Sequence, residues 1–561
     1  MDKTADTQVL IVGARSTGLT LACALARHGV DFRIIDKAPQ LLTSSRAKGF
    51  QPRTLEVFED LGMLDDVFAK GRSDVPMRDY EAGRIGLDFW TRRTGRPRPG
   101  VPYPTQLTIS TPPVEDALRD TLARAGVTVE RGLELERLEQ DDDGVDAVLR
   151  AADDGNADRR CAEHRVRAAY LVGCDGGHST VRRELGLRFD ITTVPGMAHL
   201  AGDAKVAGLD RSHARMWTDT DGHLVALTPL PSTDIWQFQA TIAEQPGGGF
   251  PAPSLELFQQ LLDRYCPVPG VRLSDCTWAS LYRDSHGMVD RHQIGRAFVA
   301  GDAAHIHSPA GGLGANTGIQ DAYNLGWKLG LVCTGRAPTA LLDTYHEERH
   351  EVARQVMEAN QSARKLLIPS PRPVLRLLRR NLVLPLSNVP GVVDRMLRAV
   401  DQTAISYRGQ SRSRECLPGK GKGLVAGDRA PDATLPDAAT GLPTRLFDVY
   451  RGPFFTLLAF GTDQIGAAER VGNDYPDLIN VCAVVPPDGG RPELMRTLVD
   501  PRGLTGRHYG VTSPALVLVR PDGHIGFRGP TEQDLRSYLA HIIGLVPAQL
   551  ETTSNSGRAR G

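Results

Sequence analysis

The chain has no CxxC pair, no excess of one charge and no apolar run long enough to span a bilayer. Its eight cysteines, Cys23, Cys161, Cys174, Cys266, Cys276, Cys333, Cys416 and Cys482, are scattered over 561 residues. That spacing predicts reduced thiols in a cytoplasmic protein and excludes a disulfide scaffold. A formal net charge of −1 provides no general basic field, which argues against nucleic acid or an anionic membrane as a main partner. Crossing a bilayer takes roughly 20 consecutive apolar residues, which no run here approaches, and the N-terminus lacks the basic-then-apolar order of a signal peptide. The expectation is a soluble protein of several domains with a large buried core.

What is present begins with Gln8-Val9-Leu10-Ile11-Val12, a short apolar run suited to a strand buried on both faces. Gly13-Ala14-Arg15-Ser16-Thr17-Gly18 follows, then a helix to about His28 with Gly29 at its C-cap position. A second strand, Asp31 to Ile35, ends in Asp36, about 20 residues past the glycine turn, where an acid can bond a ribose. This is a dinucleotide-binding βαβ pattern with one fault, since Arg15 stands where the middle glycine belongs. A second strand-turn-helix pattern runs from Gly295 to Gly318: an apolar strand delivers Asp302, a glycine-rich turn follows, and an amphipathic helix opens at Asn316 and runs to about Cys333. A carboxylate at a strand end can accept hydrogen bonds from sugar-like hydroxyls, while a helix start aims free N–H groups at a developing anion.

Further segments add specificity: Ser45-Arg46-Ala47 ahead of Gln51-Pro52-Arg53-Thr54, and Tyr170–Arg183, which places Asp175 at another strand-to-turn junction. With these motifs in this order, the chain resembles the single-component, class A FAD-dependent aromatic hydroxylases, a family that includes phenol-type hydroxylases and polyketide-tailoring oxygenases. The likeness spans essentially the whole chain.

The resemblance implies an α/β fold: a Rossmann-like FAD-binding domain in two parts (1–190 and 291–405), an inserted antiparallel-sheet substrate domain (191–290), a linker (406–426), a thioredoxin-like domain without CxxC (427–545) and a disordered tail (546–561). It implies FAD as cofactor and NADPH or NADH as transient reductant. It assigns Gly13, Arg15, Thr17, Gly18, Asp36 and Lys37 to the adenosine and pyrophosphate end of FAD, with Asp36 on the ribose. Arg46 goes to the pyrophosphate region, Thr111 to a position that commonly holds a flavin-contacting glutamine, and Asp175 to a groove shared by FAD and NAD(P)H. Asp302 goes to the ribitol, and Pro309, Gly312, Gly314, Ala315 and Asn316 to the isoalloxazine. Arg15, Thr111 and Leu313 depart from the family pattern. An Arg15 guanidinium can clash with the pyrophosphate or swing outward and bond it, and both outcomes stay open.

His305 and His307 have HxH spacing, but a metal site needs further ligands and none is suggested nearby, so packing and hydrogen bonding beneath the flavin turn are expected and no metal. Asp141-Asp142-Asp143-Gly144 reads as a solvated hairpin turn between Leu133–Gln140 and Val145–Arg150. Between 190 and 290 the pattern becomes strands and turns, including His213–Thr218, His223–Pro229 and Ile235–Ile242. Trp236 and Phe238 share one face of their strand, Gln237 and Gln239 the other. His223, Trp236, Gln239, Tyr282 and Arg283 are candidate substrate contacts. A charged helix is expected over Asp343–Asn360 and proline-broken helices over 371–401. In the last domain strands are expected at Thr456–Phe460, Ile479–Val485, Ala515–Arg520 and His524–Arg528, with a helix at Thr531–Ile543.

The implied function is insertion of one oxygen atom from O2 into a phenolic or polyketide-like ring through a flavin C4a-hydroperoxide. No side chain is assigned as substrate base, and the chain is expected as a monomer or homodimer. Baeyer–Villiger-type or oxidase chemistry with the same flavin is the alternative activity, and a degenerate scaffold binding an aromatic ligand is the alternative without one.

Overall fold

The computed structural model describes residues 5–73, 75–81, 84–88, 97–152, 163–219, 223–307, 312–367, 400–409, 413–417, 423–490 and 495–545. Pro309, Gly311, Cys161, almost all of 371–401 and the segment from 546 onward lie outside them.

The first sheet is built around Thr7–Val12, which pairs in parallel with Glu163–Gly173 on one side and Phe32–Asp36 on the other; Ala297–Val299 adds in parallel beyond Glu163–Gly173. Both faces are covered. Val9 and Ile11 join the core shared with the helices, while Leu10 and Val12 join the core beneath the hairpin Leu133–Gln140/Val145–Ala151. That double burial explains an apolar run without alternation. The hairpin turn is more than solvated: Asp141 accepts from the N–H groups of Asp143 and Gly144, and Arg167 bridges Asp141 and Asp146. Helix Ser16–Arg27 packs against helix Gly314–Cys333 at close range. A side chain at Gly326 would begin 2.5 Å from the Ala24 Cβ, and one at Gly330 would begin 2.4 Å from the His28 ring. The second helix opens at Gly314, two residues earlier than the sequence pattern suggests.

The second sheet has eight strands, in the order His305–Ile306, Arg272–Val289, Phe189–Ala207, Ile235–Ala243, Leu224–Pro229, Ala214–Thr218, Met77–Glu81, Arg84–Asp88. Its last two strands come from residues far upstream of 191, and Ala214–Thr218 meets Met77–Glu81 in parallel, so the sheet is mixed rather than purely antiparallel. Helix Leu255–Tyr265 covers one face. Ser254 caps it by accepting from Leu257 N–H, and Phe258 stacks on Phe238 at 4.4 Å. Gly202 makes the space, because a side chain there would begin 2.4 Å from the Phe258 ring.

The third sheet is thioredoxin-like: Phe455–Phe460 is central, parallel to Ile479–Val485 and antiparallel to Ala515–Val519. Arg496–Val499 extends one edge and Ile525–Gly529 the other. Arg414–Glu415, inside the expected linker, adds a short strand beside Ile525–Gly529. The C-terminal helix begins at Glu532 and passes into wider turns over Tyr538–Ile543. This domain joins the first intimately. Trp327 and Leu331, on helix Gly314–Cys333, sit in its core, with Trp327 edge-on to Phe455. Buried ions cross the boundary: Glu56 takes both Arg53 and Arg429, and Glu348 takes both Lys328 and Arg520. No helix among the described residues is long and apolar enough to cross a membrane.

Candidate cofactor and substrate site

Three turns meet at the C-terminal ends of the parallel strands, where open α/β sheets bind ligands. Gly13 has a φ of 103°, and a side chain there would begin 2.4 Å from the Cys174 carbonyl oxygen; one at Gly18 would begin 1.9 Å from the Gly13 carbonyl oxygen. Thr17 closes the other side, since a side chain at Gly301 or at Gly318 would begin 2.6 Å from its Oγ1. The glycine turn, the Asp302 turn and helix Gly314–Cys333 are thus in direct contact. Asp36 anchors the glycine turn, accepting from Ala14 N–H and Ala38 N–H at 2.8 Å each; each oxygen keeps a lone pair for a hydroxyl. Lys37 is exposed.

Arg15 turns to Glu115. Its Nε donates to Glu115 Oε1 at 2.8 Å, and the same oxygen accepts from Ser16 N–H and Oγ. Arg15 Nη1 is buried with no hydrogen-bond partner. The buried Thr111 hydroxyl accepts from Ala47 N–H at 2.9 Å and donates to Ala47 O at 3.0 Å, fixing the loop that carries Arg46. The same loop is tied to the second sheet, where Asp203 accepts from Ser45 N–H and Oγ and Gln237 donates to Ser45 O. Arg46 itself is exposed, and its charge reaches both Asp302 and Tyr282.

Asp302 is reached by solvent yet ringed by protein, as on a cleft floor, and that surrounding burial raises its carboxyl above the ordinary value. No described residue donates a hydrogen bond to it. Helix Gly314–Cys333 starts after Leu313 without a side-chain cap, leaving its first N–H groups open. Asn316, placed by the resemblance against the flavin, instead has a fully engaged side chain. Its Oδ1 accepts from Gln51 N–H and Thr54 Oγ1, and its Nδ2 donates to the Gly49 and Gly312 carbonyls. Only its backbone is available to a ligand. Leu313 points away, into a cluster with Val352, Val356 and Tyr407.

Behind the turn runs a chain of buried polar groups, in which His305 and His307 hydrogen-bond as expected from the sequence while their partners Asp321 and Arg349 were not foreseen. Asp321 accepts from Gly301 N–H, Arg349 Nε and His305 Nε2, and His305 Nδ1 lies 3.0 Å from His307 Nε2. Burial alone would raise the Asp321 carboxyl, but His305 and Arg349 hold it well below the carboxylate range. Where His305 Nε2 donates to Asp321 and His307 Nε2 donates to His305 Nδ1, His307 Nδ1 is left as a lone pair. That atom is buried and without a partner. Burial, reinforced by His305, pushes His307 down to about 3. Asp175 is engaged locally, accepting from Ser179 Oγ and from the Thr180 and Val181 N–H groups at the start of a helix.

The substrate candidates divide. Trp236 is in the core beneath helix Leu255–Tyr265, with Arg211 and Arg215 over its ring. It is therefore corrected to a packing residue. Gln239 is on the opposite face, where its Oε1 accepts from Lys48 Nζ at 2.7 Å; Thr228 Oγ1 accepts from the same ammonium at 2.9 Å. Lys48 was not among the sequence candidates, and only its place beside the Ser45-Arg46-Ala47 motif hinted at it. Tyr282 is half-buried, with its hydroxyl pushed up to about 12 chiefly by burial, and Arg283 is exposed. His223 closes the hairpin at the far tip of strand Leu224–Pro229, where its N–H bonds Asp219.

These leftovers fit a flavin dinucleotide. A carboxylate without a donor among the described residues, an uncapped helix start and a glycine-lined backbone turn adjoin one another through Thr17, Gly301 and Gly318. The family model of an FAD binding domain matches residues 6–360, and that of an aromatic-ring hydroxylase C-terminal domain matches residues 424–545. A flavin-dependent monooxygenase of Mycobacteroides abscessus is 37% identical over 542 residues, covering 95% of this chain and 100% of its own. The 6-methylpretetramide 4-monooxygenase of Streptomyces rimosus is 34% identical, with 93% of this chain and 90% of its own covered. Among solved structures, an anhydrotetracycline hydroxylase from Streptomyces rimosus superimposes with a TM-score of 0.74 at 28% identity, covering 97% of this chain and 100% of its own.

Proposed function

Because the chain belongs to the flavin-dependent aromatic-ring hydroxylases, a family of monooxygenases, we propose that it inserts one atom of O2 into a polycyclic phenolic ring, with NADPH or NADH as transient reductant. Relatives named for 6-methylpretetramide and for anhydrotetracycline favour a flat, oxygen-rich polycycle as substrate. The observation that carries the reading is a pair of adjoining features: Asp302 takes no hydrogen bond from a described residue beside a helix start without a side-chain cap, and Lys48, next to the Gly49 carbonyl that Asn316 of that helix bonds, reaches Thr228 and Gln239 of the second sheet.

Bound FAD supplies electron acceptance and O2 activation at its C4a carbon. The chain's own groups do the rest. Asp36 would hold the ribose hydroxyls, Asp302 the ribitol, and the Arg15 guanidinium the pyrophosphate. The N–H groups from Gly314 onward would hold the pyrimidine end of the ring and supply fixed donors for negative charge there. Lys37 and Arg46 add positive charge at the rim for the incoming nucleotide, and Asp175, by holding the following helix start, shapes the groove beside it. The face carrying Gln237 and Gln239 roofs the substrate and keeps water from the reacting centre.

The test is anaerobic reduction of the FAD-loaded protein by NADPH or NADH, with and without a polycyclic phenol, followed by mixing with 18O2. Faster reduction with the phenol present, one labelled oxygen in the product and the other in water are expected. Stoichiometric H2O2 with an unlabelled product, for every phenol that accelerates reduction, would overturn the reading.

A further inference from the structure

Lys48 is an ammonium in a cleft with only neutral partners. Its Nζ donates to Thr228 Oγ1 at 2.9 Å and to Gln239 Oε1 at 2.7 Å, and no carboxylate of the described residues lies within ion-pair distance. Asp203, whose charge is felt at Lys48, has its oxygens engaged by Ser45 N–H and Oγ. An ammonium has three protons to give, and here two go to uncharged oxygens.

The backbone around Lys48 is tied to the cofactor helix. Ile109 N–H bonds the Lys48 carbonyl, and the next carbonyl, that of Gly49, accepts from Asn316 at the start of the helix that carries the flavin turn. The side chain leaves this strand and crosses to the second sheet. Lys48 therefore links the segment bonded to the cofactor helix with the second sheet. Burial pushes the ammonium down to about 8, with Asp203 opposing, so it remains mostly charged at neutral pH. A surrounded charge held only by neutral groups is an unfinished arrangement, and an anion completes it.

We propose that Lys48 is a specificity-determining residue that binds the ionised oxygen of an acidic phenol or enol, and that the substrate is held as its anion. This rests on the monooxygenase reading for the identity of the cleft, but not on turnover. Thr228 and Gln239 hold Lys48 in place, and the anion adds a charge-assisted hydrogen bond to it. An oxygen held as its anion also makes the attached ring more electron-rich, as oxygen insertion requires.

The experiment uses FAD-loaded protein at neutral pH, with alizarin, an acidic dihydroxyanthraquinone, and its dimethyl ether as probes. Binding is read from perturbation of the flavin absorption, and FAD affinity is measured separately. Wild type is expected to bind alizarin at least about tenfold more tightly than the ether. Lys48→Met should weaken alizarin binding by about ten- to a hundredfold, the value of a hydrogen bond between charged groups, while leaving ether binding and FAD affinity close to wild type. Lys48→Arg should keep part of the preference and so guards against a merely structural loss. A Lys48→Met protein that keeps the preference overturns the proposal, as does a wild type that binds both probes alike or neither. Lys48-dependent binding of alizarin, together with failure of labelled oxygen to enter any phenol, would count against the monooxygenase reading alone.

Discussion

Arg15 donates to Glu115 across 100 residues of sequence, Nε to Oε1 at 2.8 Å, and so turns a missing glycine into an ion pair at the head of the glycine turn. The guanidinium turns toward the helix that contains Glu115, leaving Nη1 unpartnered. Arg15→Ala is expected to leave the buried Glu115 with Ser16 alone and to remove the unpartnered donor. The expected costs are about 1–3 kcal/mol of stability, read by denaturant unfolding, and about tenfold in FAD affinity, read by fluorescence titration. Tighter FAD binding by the variant would favour the clash model.

Asp302 predicts a trade between stability and binding. Its surroundings raise the carboxyl in the FAD-free protein. A carboxyl raised on folding favours the folded state most below the unfolded value of about 3.9, and that advantage is lost as pH rises through the folded value. Near neutral pH the ionised group therefore costs stability. Asp302→Asn should raise the melting temperature of the FAD-free protein at neutral pH, show no such gain in acid, and weaken FAD binding by about tenfold or more. Unchanged FAD affinity would remove Asp302 from the ribitol site.

The parts of this fold that were legible in the sequence are those where a local rule meets a local cause. Thr7–Val12 reads as a doubly buried strand because it lacks alternation, and Gly13 and Gly18 are glycines because backbone comes within reach of their missing side chains. Asp302 stands out in the sequence as a carboxylate between an apolar strand and a glycine turn, and the structure sets it beside helix Gly314–Cys333 with no donor among the described residues. What escaped was non-local. Met77–Glu81 joins a strand some 140 residues later only through sheet register, which no periodicity reports. Trp236 and Gln239 looked equally suited to a pocket until helix Leu255–Tyr265 covered one face of their strand. Glu115, Lys48, Asp321 and Arg349 are charged residues on otherwise ordinary segments, and their roles come from partners far away in the chain.

Asp321 illustrates the consequence. It is fully buried, yet it fixes both the Gly301 backbone and the His305 ring on which His307 leans. Asp321→Asn should leave Arg349 as an uncompensated buried charge and release the orientation of both imidazoles. A loss of about 3–5 kcal/mol is expected on removing one partner of such a pair. In whatever fraction remains folded, FAD affinity should fall although Asp321 is fully buried. A variant with wild-type stability and FAD affinity would show that the histidine chain is not what holds the turn.

The C-terminal domain lacks a CxxC pair, so its loss is expected from sequence to affect solubility, stability or association before flavin reduction. The buried ions make stability the first of these. Without that domain, Glu56 loses Arg429, Glu348 loses Arg520, and the Trp327 half of the cofactor helix loses its cover. Truncation at 425 should therefore yield protein that neither folds nor binds FAD, and a folded, FAD-binding fragment would refute this. A subtler check is acid unfolding, because burial opposes ionisation of Glu348 but Arg520 and Lys328 prevail and lower it to about 2. A carboxyl lowered on folding contributes stability above its unfolded value of about 4.3, and that contribution drains away as pH falls toward the folded value. Arg520→Leu removes most of the compensation, so its unfolding midpoint, followed by tryptophan fluorescence, should move to higher pH than wild type. An unmoved acid midpoint would mean that the interface between the domains does not depend on this ion cluster.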